Sequence, residues 1–519
     1  MEATNCLPFM MREMKVLTGG HPVAELMLMF SFAYMIEGAS GFGTPAALGA
    51  PMLVNLGHPP VESVVILLIF NTFATVWGAV GTPIWFGFGG LGLTDDDLVD
   101  VSKKASVCLA VSAFCLVPLA LSILVPWKAV KANIIFVFGS LLTCVGPAVA
   151  LAFAGSKEFP SLIGGVFGCL GTAVLIKSMF GLKAFDDEHH EEVDRDLQDS
   201  GSTSENLPDC PEGAEDVKDS GGSLDEGGEN PIIGSLSTSA SLKDGEDYQL
   251  GPRKSWSEGY LREITTRTFP IWAVVLLLIL TRVEEIRLKD YLTKREPYFS
   301  IHLGTYGTFR LSGSLVFQLR DILTYPNLSW KYELLYIPFF MPFVLVSCMT
   351  MLIFRKEASH GPLTIVKIAA NRLVNPAIAL FGALVLVQLM IRSGTATPAF
   401  ILGTVLADWF QEGFIIVVPL LGALGSFFSG STTVSNLTFG VVDKIAAESL
   451  GLSVTSMLAL QAVGGSAGNA ICLNNIIAAS TIVGGLEGGE GKILMKTLKY
   501  TLAITVIAIL MSFAFFFRF

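Results

Sequence analysis

Long charge-free runs alternate with short polar joints along most of the 519 residues. A helical crossing of a bilayer needs about 20 apolar residues, and charges inside it are costly. Residues 105–127, 132–156, 159–176, 334–354, 373–391 and 500–517 each meet that length and predict ordinary spanning helices. The stretch 264–282 spans when its flanks are counted, and 23–36 predicts an abbreviated helix.

Four other stretches follow a different pattern. Residues 38–57 and 63–94 lie near one end, 413–442 and 449–486 near the other, and all four are rich in Gly, Pro, Ser, Thr and Asn. The last three exceed what one helix needs. Irregular backbone at membrane depth must be buried in protein or line a wet cavity. Paired interruptions in two halves point to a carrier built from repeats. The expected fold is therefore an all-α polytopic membrane protein of about ten spans plus re-entrant elements. In function class it is an inverted-repeat secondary transporter with broken helices. The halves do not align residue by residue, so the repeat rests on layout alone.

Composition sharpens this picture. The chain is 52% hydrophobic and 15% charged, against about a quarter charged in soluble domains. Its formal charge of −11 is unevenly spread: residues 184–250 hold 20 acidic and 3 basic side chains, leaving 31 basic and 25 acidic elsewhere. That segment, rich in Asp, Glu, Ser and Gly, buries too little apolar area to order itself and reads as a tolerated insertion or a phosphorylatable tether. The expected divisions are 1–183, an N-terminal transmembrane half; 184–260, a disordered acidic cytoplasmic loop; and 261–519, a C-terminal half with an extramembrane loop at 282–331. Lys128, Lys131, Lys177, Lys183, Arg355 and Lys356 fall on one side when spans are counted alternately, which makes that side cytoplasmic. The sequon Asn327-Leu-Ser329 then lies outside, open to glycosylation.

Several classes drop out. An acidic block repels phosphate, so no nucleic-acid partner is expected. The eight cysteines show no CxxC spacing, so neither a disulfide framework nor a zinc site is suggested. The first 15 residues lack the order of a cleavable signal peptide. HExxH, Walker A and nucleophile-elbow motifs are absent, so the chain is not expected to be an enzyme. His189-His190-Glu191-Glu192 sits in the acidic segment, where a formed metal site is not expected. No cofactor is expected.

Four constellations carry candidate chemistry. The first is Glu37-Gly-Ala-Ser-Gly-Phe-Gly-Thr-Pro45, where three glycines and a proline force a break. Glu37 at the edge of an apolar segment is a proton carrier, or else caps a neighbouring helix at the interface. Ser40 and Thr44 flank that break. The second is Asn71-Thr72 with Gly78-Ala-Val-Gly-Thr-Pro83; Gly-Thr-Pro recurs here, and Asn71 and Thr82 reach either substrate or a neighbouring helix. The third is Gly425-Ser-Phe-Phe-Ser-Gly-Ser-Thr-Thr-Val-Ser-Asn436. Its hydroxyls at Ser429, Ser431, Thr433 and Ser435, with Asn436, suit a small carboxylate, since hydroxyls and half-helix amides donate to an anion without a full charge. Small-residue helix packing is the alternative. The fourth is Gln461, Gly464-Gly-Ser-Ala-Gly-Asn469 and Asn474-Asn475, whose asparagines ligate substrate or Na⁺, or bridge helices. Arg392 either pairs a substrate carboxylate or snorkels to headgroups. Asp408 and Glu412 read as the solvated face of an interfacial helix.

Together these motifs resemble the L-lactate permease family of secondary carriers. The resemblance rests on Glu37–Pro45 with Ala50-Pro51 and Leu56-Gly57, Asn71, Gly78–Pro83, Ser429-Gly-Ser431, Ser435-Asn436, Gly468-Asn469, Asn474-Asn475 and Glu487–Gly491. It implies proton-coupled import of L-lactate and related 2-hydroxymonocarboxylates such as glycolate, on inverted repeats whose two hairpins meet at mid-membrane. By position, Glu37, Ser40, Thr44, Ser431, Ser435, Asn436 and Asn469 match the family's motifs, with Glu37 the favoured proton carrier. Two departures stand out. Thr432 stands where members commonly have Asp or Asn, and members have roughly three more hydrophobic segments, by the length a span requires, ahead of the Glu-Gly motif. The chain thus reads as a short variant, an incomplete gene product or an altered scaffold. Its expected setting is the plasma membrane, with a small carboxylate and the lipid bilayer as partners, a homo-oligomer open, and the acidic loop's partner unknown. A Na⁺-coupled organic-anion carrier and a non-transporting sensor or scaffold of the same fold are the alternatives.

Overall fold

The computed structural model describes residues 6–41, 43–183, 258–281, 287–325, 329–336, 341–358, 361–368, 397–484 and 489–516, with single positions between 370 and 389. The acidic segment up to 257, Asn327 of the sequon, Arg392 and most of the span expected at 373–391 lie outside the described residues. The described residues outside Lys183–Gln249 form one compact unit.

Its helices are, in order, α1 (Cys6–Thr18), α2 (Pro22–Ser40), α3 (Thr44–Asn55), α4 (Pro60–Thr72), α5 (Gly78–Trp85), α6 (Asp95–Leu121), α7 (Trp127–Ala132), α8 (Ile134–Phe153) and α9 (Pro160–Lys177). Then follow α10 (Glu258–Arg267), α11 (Phe269–Leu280), α12 (Leu288–Leu292), α13 (Met341–Ile353), α14 (Pro398–Phe410), α15 (Phe414–Ser429), α16 (Thr432–Leu450), α17 (Val454–Asn469), α18 (Leu473–Val483) and α19 (Glu490–Met511). Local chemistry sets their ends. Helix α6 begins ten residues before the apolar run because Thr94 Oγ1 accepts the Asp97 amide (3.2 Å) while the Thr94 amide donates to Asp97 Oδ2 (2.9 Å). Three aspartates in that first turn also face the positive end of the helix dipole.

By length and composition, seven helical stretches among the described residues can cross a membrane, and eight if Pro60–Thr72 and Thr75–Leu91, bent by 60°, count as one broken span. The short apolar helices α11 and α13 pack against each other. The protein is a multi-pass integral membrane protein, with fewer full-length crossings among its described residues than the run lengths suggested.

The four interrupted stretches are all broken helices. Helix α2 breaks from α3 at 41–43, α4 from α5 at 73–77, α15 from α16 at 430–431, and α17 from α18 at 470–472. Exchanging α2–α6 with α15–α19 preserves the neighbours. Helix α3 packs on α18 as α16 packs on α5, α4 packs on α19 as α17 packs on α6, and α4 meets α17 while α6 meets α19. These reciprocal contacts fit two five-helix repeats.

The loop expected at 282–331 carries a four-stranded antiparallel sheet in the order β1 (Tyr298–His302), β2 (Thr308–Ser312), β3 (Val316–Arg320) and β4 (Trp330–Glu333). Its register sets Phe299 opposite Leu311, Ile301 opposite Phe309, Phe317 opposite Tyr332 and Leu319 opposite Trp330. Since strand side chains alternate between faces, these eight residues share one side. Ser300, Arg310, Gln318 and Lys331 share the other.

Candidate functional site

A small polar cavity lies where the broken helices meet. It holds about 240 Å³ of space counted with its open mouth, and is lined by Glu37, Gly41, Thr75, Gly78, Ala79, Thr82, Pro83, Gly430, Ser431, Thr432, Thr433 and Asn469. Both repeats contribute, and among the described residues lining it Glu37 is the one that carries a charge.

Helix α2 stops at Ser40 because Gly41 takes φ +68° and sends its amide back to Glu37 O (2.9 Å). A Cβ on Gly41 would also come within 2.9 Å of Ala79, so the two breaks of the first repeat touch there. Glu37 sits in that last helical turn, 2% exposed. Its carboxyl lies beside the Gly43 backbone amide, while Oε2 has no hydrogen-bond partner and no cation pairs with it among the described residues. Beside it, Ala79, Val80 and Gly81 are left-handed in succession, with φ of 44°, 58° and 72°. For Ala79 and Val80 this is strained backbone, of the kind that concentrates at ligand clamps.

In the second repeat Gly430 takes φ +68° and Ser431 caps α16 by accepting the Val434 amide (3.4 Å). The free amides at the start of α16 therefore lie beside Thr432 and Thr433 at the cavity wall. Thr432 Oγ1, buried there, has no hydrogen-bond partner. Asn469, at the end of α17, joins the breaks: its Nδ2 donates to Gly430 O (3.1 Å), and its Oδ1 accepts from Asn475 Nδ2 (2.9 Å) and Asn71 Nδ2 (3.4 Å). Ser466 Oγ donates to Thr72 O and lies 2.5 Å from Thr75 Oγ1, so α17 and the first repeat are stitched together.

The cavity thus brings together Glu37, Thr82, Ser431, Thr433 and Asn469 of the expected residues. Asn71 stands directly behind Asn469, with Oδ1 unpartnered. Ser40, Thr44 and Ser429 lie at the breaks with hydroxyls satisfied by Ile36 O, Gly41 O and Gly425 O at 2.8, 2.6 and 2.7 Å. Ser435 is fully buried between Gly422 O and Gln461 Nε2, and Asn436 Nδ2 donates to Pro83 O (2.9 Å); both brace the wall rather than line it. Asn474 is exposed on α18, whereas its neighbour Asn475 reaches the site. Thr75 lines the cavity without having been singled out, and Thr432, noted above only as a departure from the family pattern, lines it too. Buried Asp443 in α16, both of whose oxygens lack partners, was also missed. No cluster of metal-ligating side chains occurs among the described residues.

A family model for L-lactate permease matches residues 3–206 and 253–518. A Haemophilus influenzae protein named for that family is 35% identical over 94% of this chain and 79% of its own length. The L-lactate permease of Bacillus subtilis is 23% identical over 96% of the chain and 79% of its own length. A glycolate permease of Escherichia coli is 40% identical over a shorter stretch, 13% of the chain and 12% of its own length. No solved structure matches. These relatives are named as transporters, not enzymes, and the chain belongs to the L-lactate permease family.

Proposed function

We propose that this carrier imports L-lactate and related 2-hydroxymonocarboxylates such as glycolate across the plasma membrane by proton symport, with Glu37 as the proton carrier. The names of its relatives support the substrate class. The observation that carries the coupling is the charge inventory of the cavity: one buried carboxyl and otherwise neutral hydroxyls, an amide and backbone dipoles. Two like charges in a small, poorly solvated space repel strongly. A carboxylate substrate and an ionised Glu37 therefore disfavour each other, and anion binding and proton binding favour each other. The amides opening α16, with Thr432, Thr433 and Asn469, are the donors facing the substrate carboxylate. The 2-hydroxyl distinguishes these substrates from plain acids, and hydroxyls lining the wall can exchange hydrogen bonds with it.

Uptake of labelled L-lactate into proteoliposomes, with pH and Na⁺ gradients imposed separately, tests this reading. Uptake should follow the pH gradient alone, and Glu37→Gln should abolish proton-driven accumulation while leaving lactate exchange between equal pools. Accumulation driven only by Na⁺ would replace this reading with a sodium-coupled one, in which Asn71 Oδ1 is the unpartnered oxygen to test first.

A further inference from the structure

The sheet β1–β4 is built inside out for a domain in water. Its apolar side is open: Phe299 is 65% exposed and Trp330 49%, and none of the eight residues on that side is buried. The buried positions of the sheet lie on the other side, at Ser312, Val316 and Gln318, although Tyr298, Ser300, His302, Arg320 and Lys331 there are exposed. Phe299 on this side is as accessible as outward positions of the spanning helices, where Leu142 is 60% and Phe167 55% exposed. A soluble surface rarely tolerates a contiguous apolar patch of this kind.

We infer that this apolar sheet face lies on the lipid bilayer, at the level of the headgroups, as a platform beside the spanning helices. Attachment supports the occupant. Glu333 and Met341 are eight positions apart, which at full extension spans at most about 28 Å. The sheet is therefore tethered close to the apolar α13 and its partner α11. Chemistry sets the depth. The outer strands β1 and β4 leave backbone donors and acceptors unpaired on their free edges, which excludes the hydrocarbon core. Trp330 and Tyr332, stacked at 5.9 Å on the apolar side, are the residue types that settle at a membrane interface. The reverse side, with Arg310 over the Tyr298 ring, keeps its charges toward water and protein.

The alternation within β1 supplies its own control, because all five of its residues are exposed. The full-length protein, with one environment-sensitive fluorescent amino acid at position 299, 300, 301 or 330, is reconstituted in liposomes containing nitroxide-labelled lipid. Quenching at 299, 301 and 330 should exceed that at 300 by about twofold or more. Equal quenching at 299 and 300 overturns the inference. So does a photo-crosslinker at 299 that captures a second copy of the chain instead of lipid. A thermal melt matching the parent protein confirms that each labelled protein is folded, and position 332 replaces any site that fails this check. The readout does not depend on which substrate is carried.

Discussion

Glu37 owes its setting to what is missing beside it. Position 78 has no side chain, and a Cβ built there would stand 2.7 Å from Glu37 Oε1. Gly78→Ala must therefore push the carboxyl or the strained 78–81 turn aside. Overpacking of this kind costs about 1–3 kcal/mol, so uptake should fall roughly tenfold or more, read as initial rate in proteoliposomes at matched protein content. Glu37, Thr82, Ser431, Thr433 and Asn469 were legible in the sequence because an acid, an amide or a dense row of hydroxyls in an apolar run demands a partner. The same logic failed where context disguised the signal. Asp443 is followed by Lys444 and reads as a solvated ion pair, although Lys444 turns to Leu91 O and Glu448 instead. Asn474 and Asn475 are indistinguishable in sequence, yet consecutive helical residues point about 100° apart, and only Asn475 bonds to Asn469 of the cavity wall.

The helix breaks at 41–43 and 430–431 each turn on a glycine with positive φ. Gly430 and Gly451 share the same conformation, φ +68° and +67°, but differ in surroundings. A Cβ at 430 would meet Cys472 Sγ at 3.1 Å and Asn475 Oδ1 at 3.3 Å, whereas nothing lies within 4 Å of 451. Gly451→Ala should cost only the left-handed penalty of about 1–2 kcal/mol. Gly430→Ala adds crowding of the Asn469–Asn475 junction, which costs about 1 kcal/mol more, and should lower the thermal midpoint further while also depressing uptake. Melting curves of both variants in detergent check the difference. The breaks themselves were readable from Gly, Pro and polar density. The sheet was not, because 282–331 was read for charge. The alternation in YFSIH, TFRLS and VFQLR was there to be read, and its apolar face pointed away from any core that the sequence disclosed.

The two repeats meet through matched polar ends as well as matched helices. Lys496 of α19 pairs with Glu62 of α4 at 2.6 Å, and in the exchanged position Lys104 of α6 donates to Thr455 of α17 at 2.8 Å. Both lie partly in solvent, where such contacts are worth at most about 1 kcal/mol, so they set register more than stability. The site was assembled by this pairing, and residue order alone could not show that Asn71 and Asn469, 398 positions apart, would share a hydrogen bond. The acidic segment reads from its composition as a tolerated insertion. Replacing 184–249 by a flexible Gly/Ser linker of about 20 residues, which spans roughly 25 Å, should leave lactate uptake within about twofold of the parent. The same uptake assay with the replaced chain measures it.

On the proposed function, a cavity whose described residues meet an anion with dipoles and no fixed cation has a consequence for speed. Ion pairing would deepen the bound state and slow the departure of the cargo, whereas conduction and carriage both require a site that fills readily and empties readily. The neutral wall opposite Glu37 trades grip for turnover. It suits a carrier that works where its substrate is plentiful and whose net flux follows the gradients on either side.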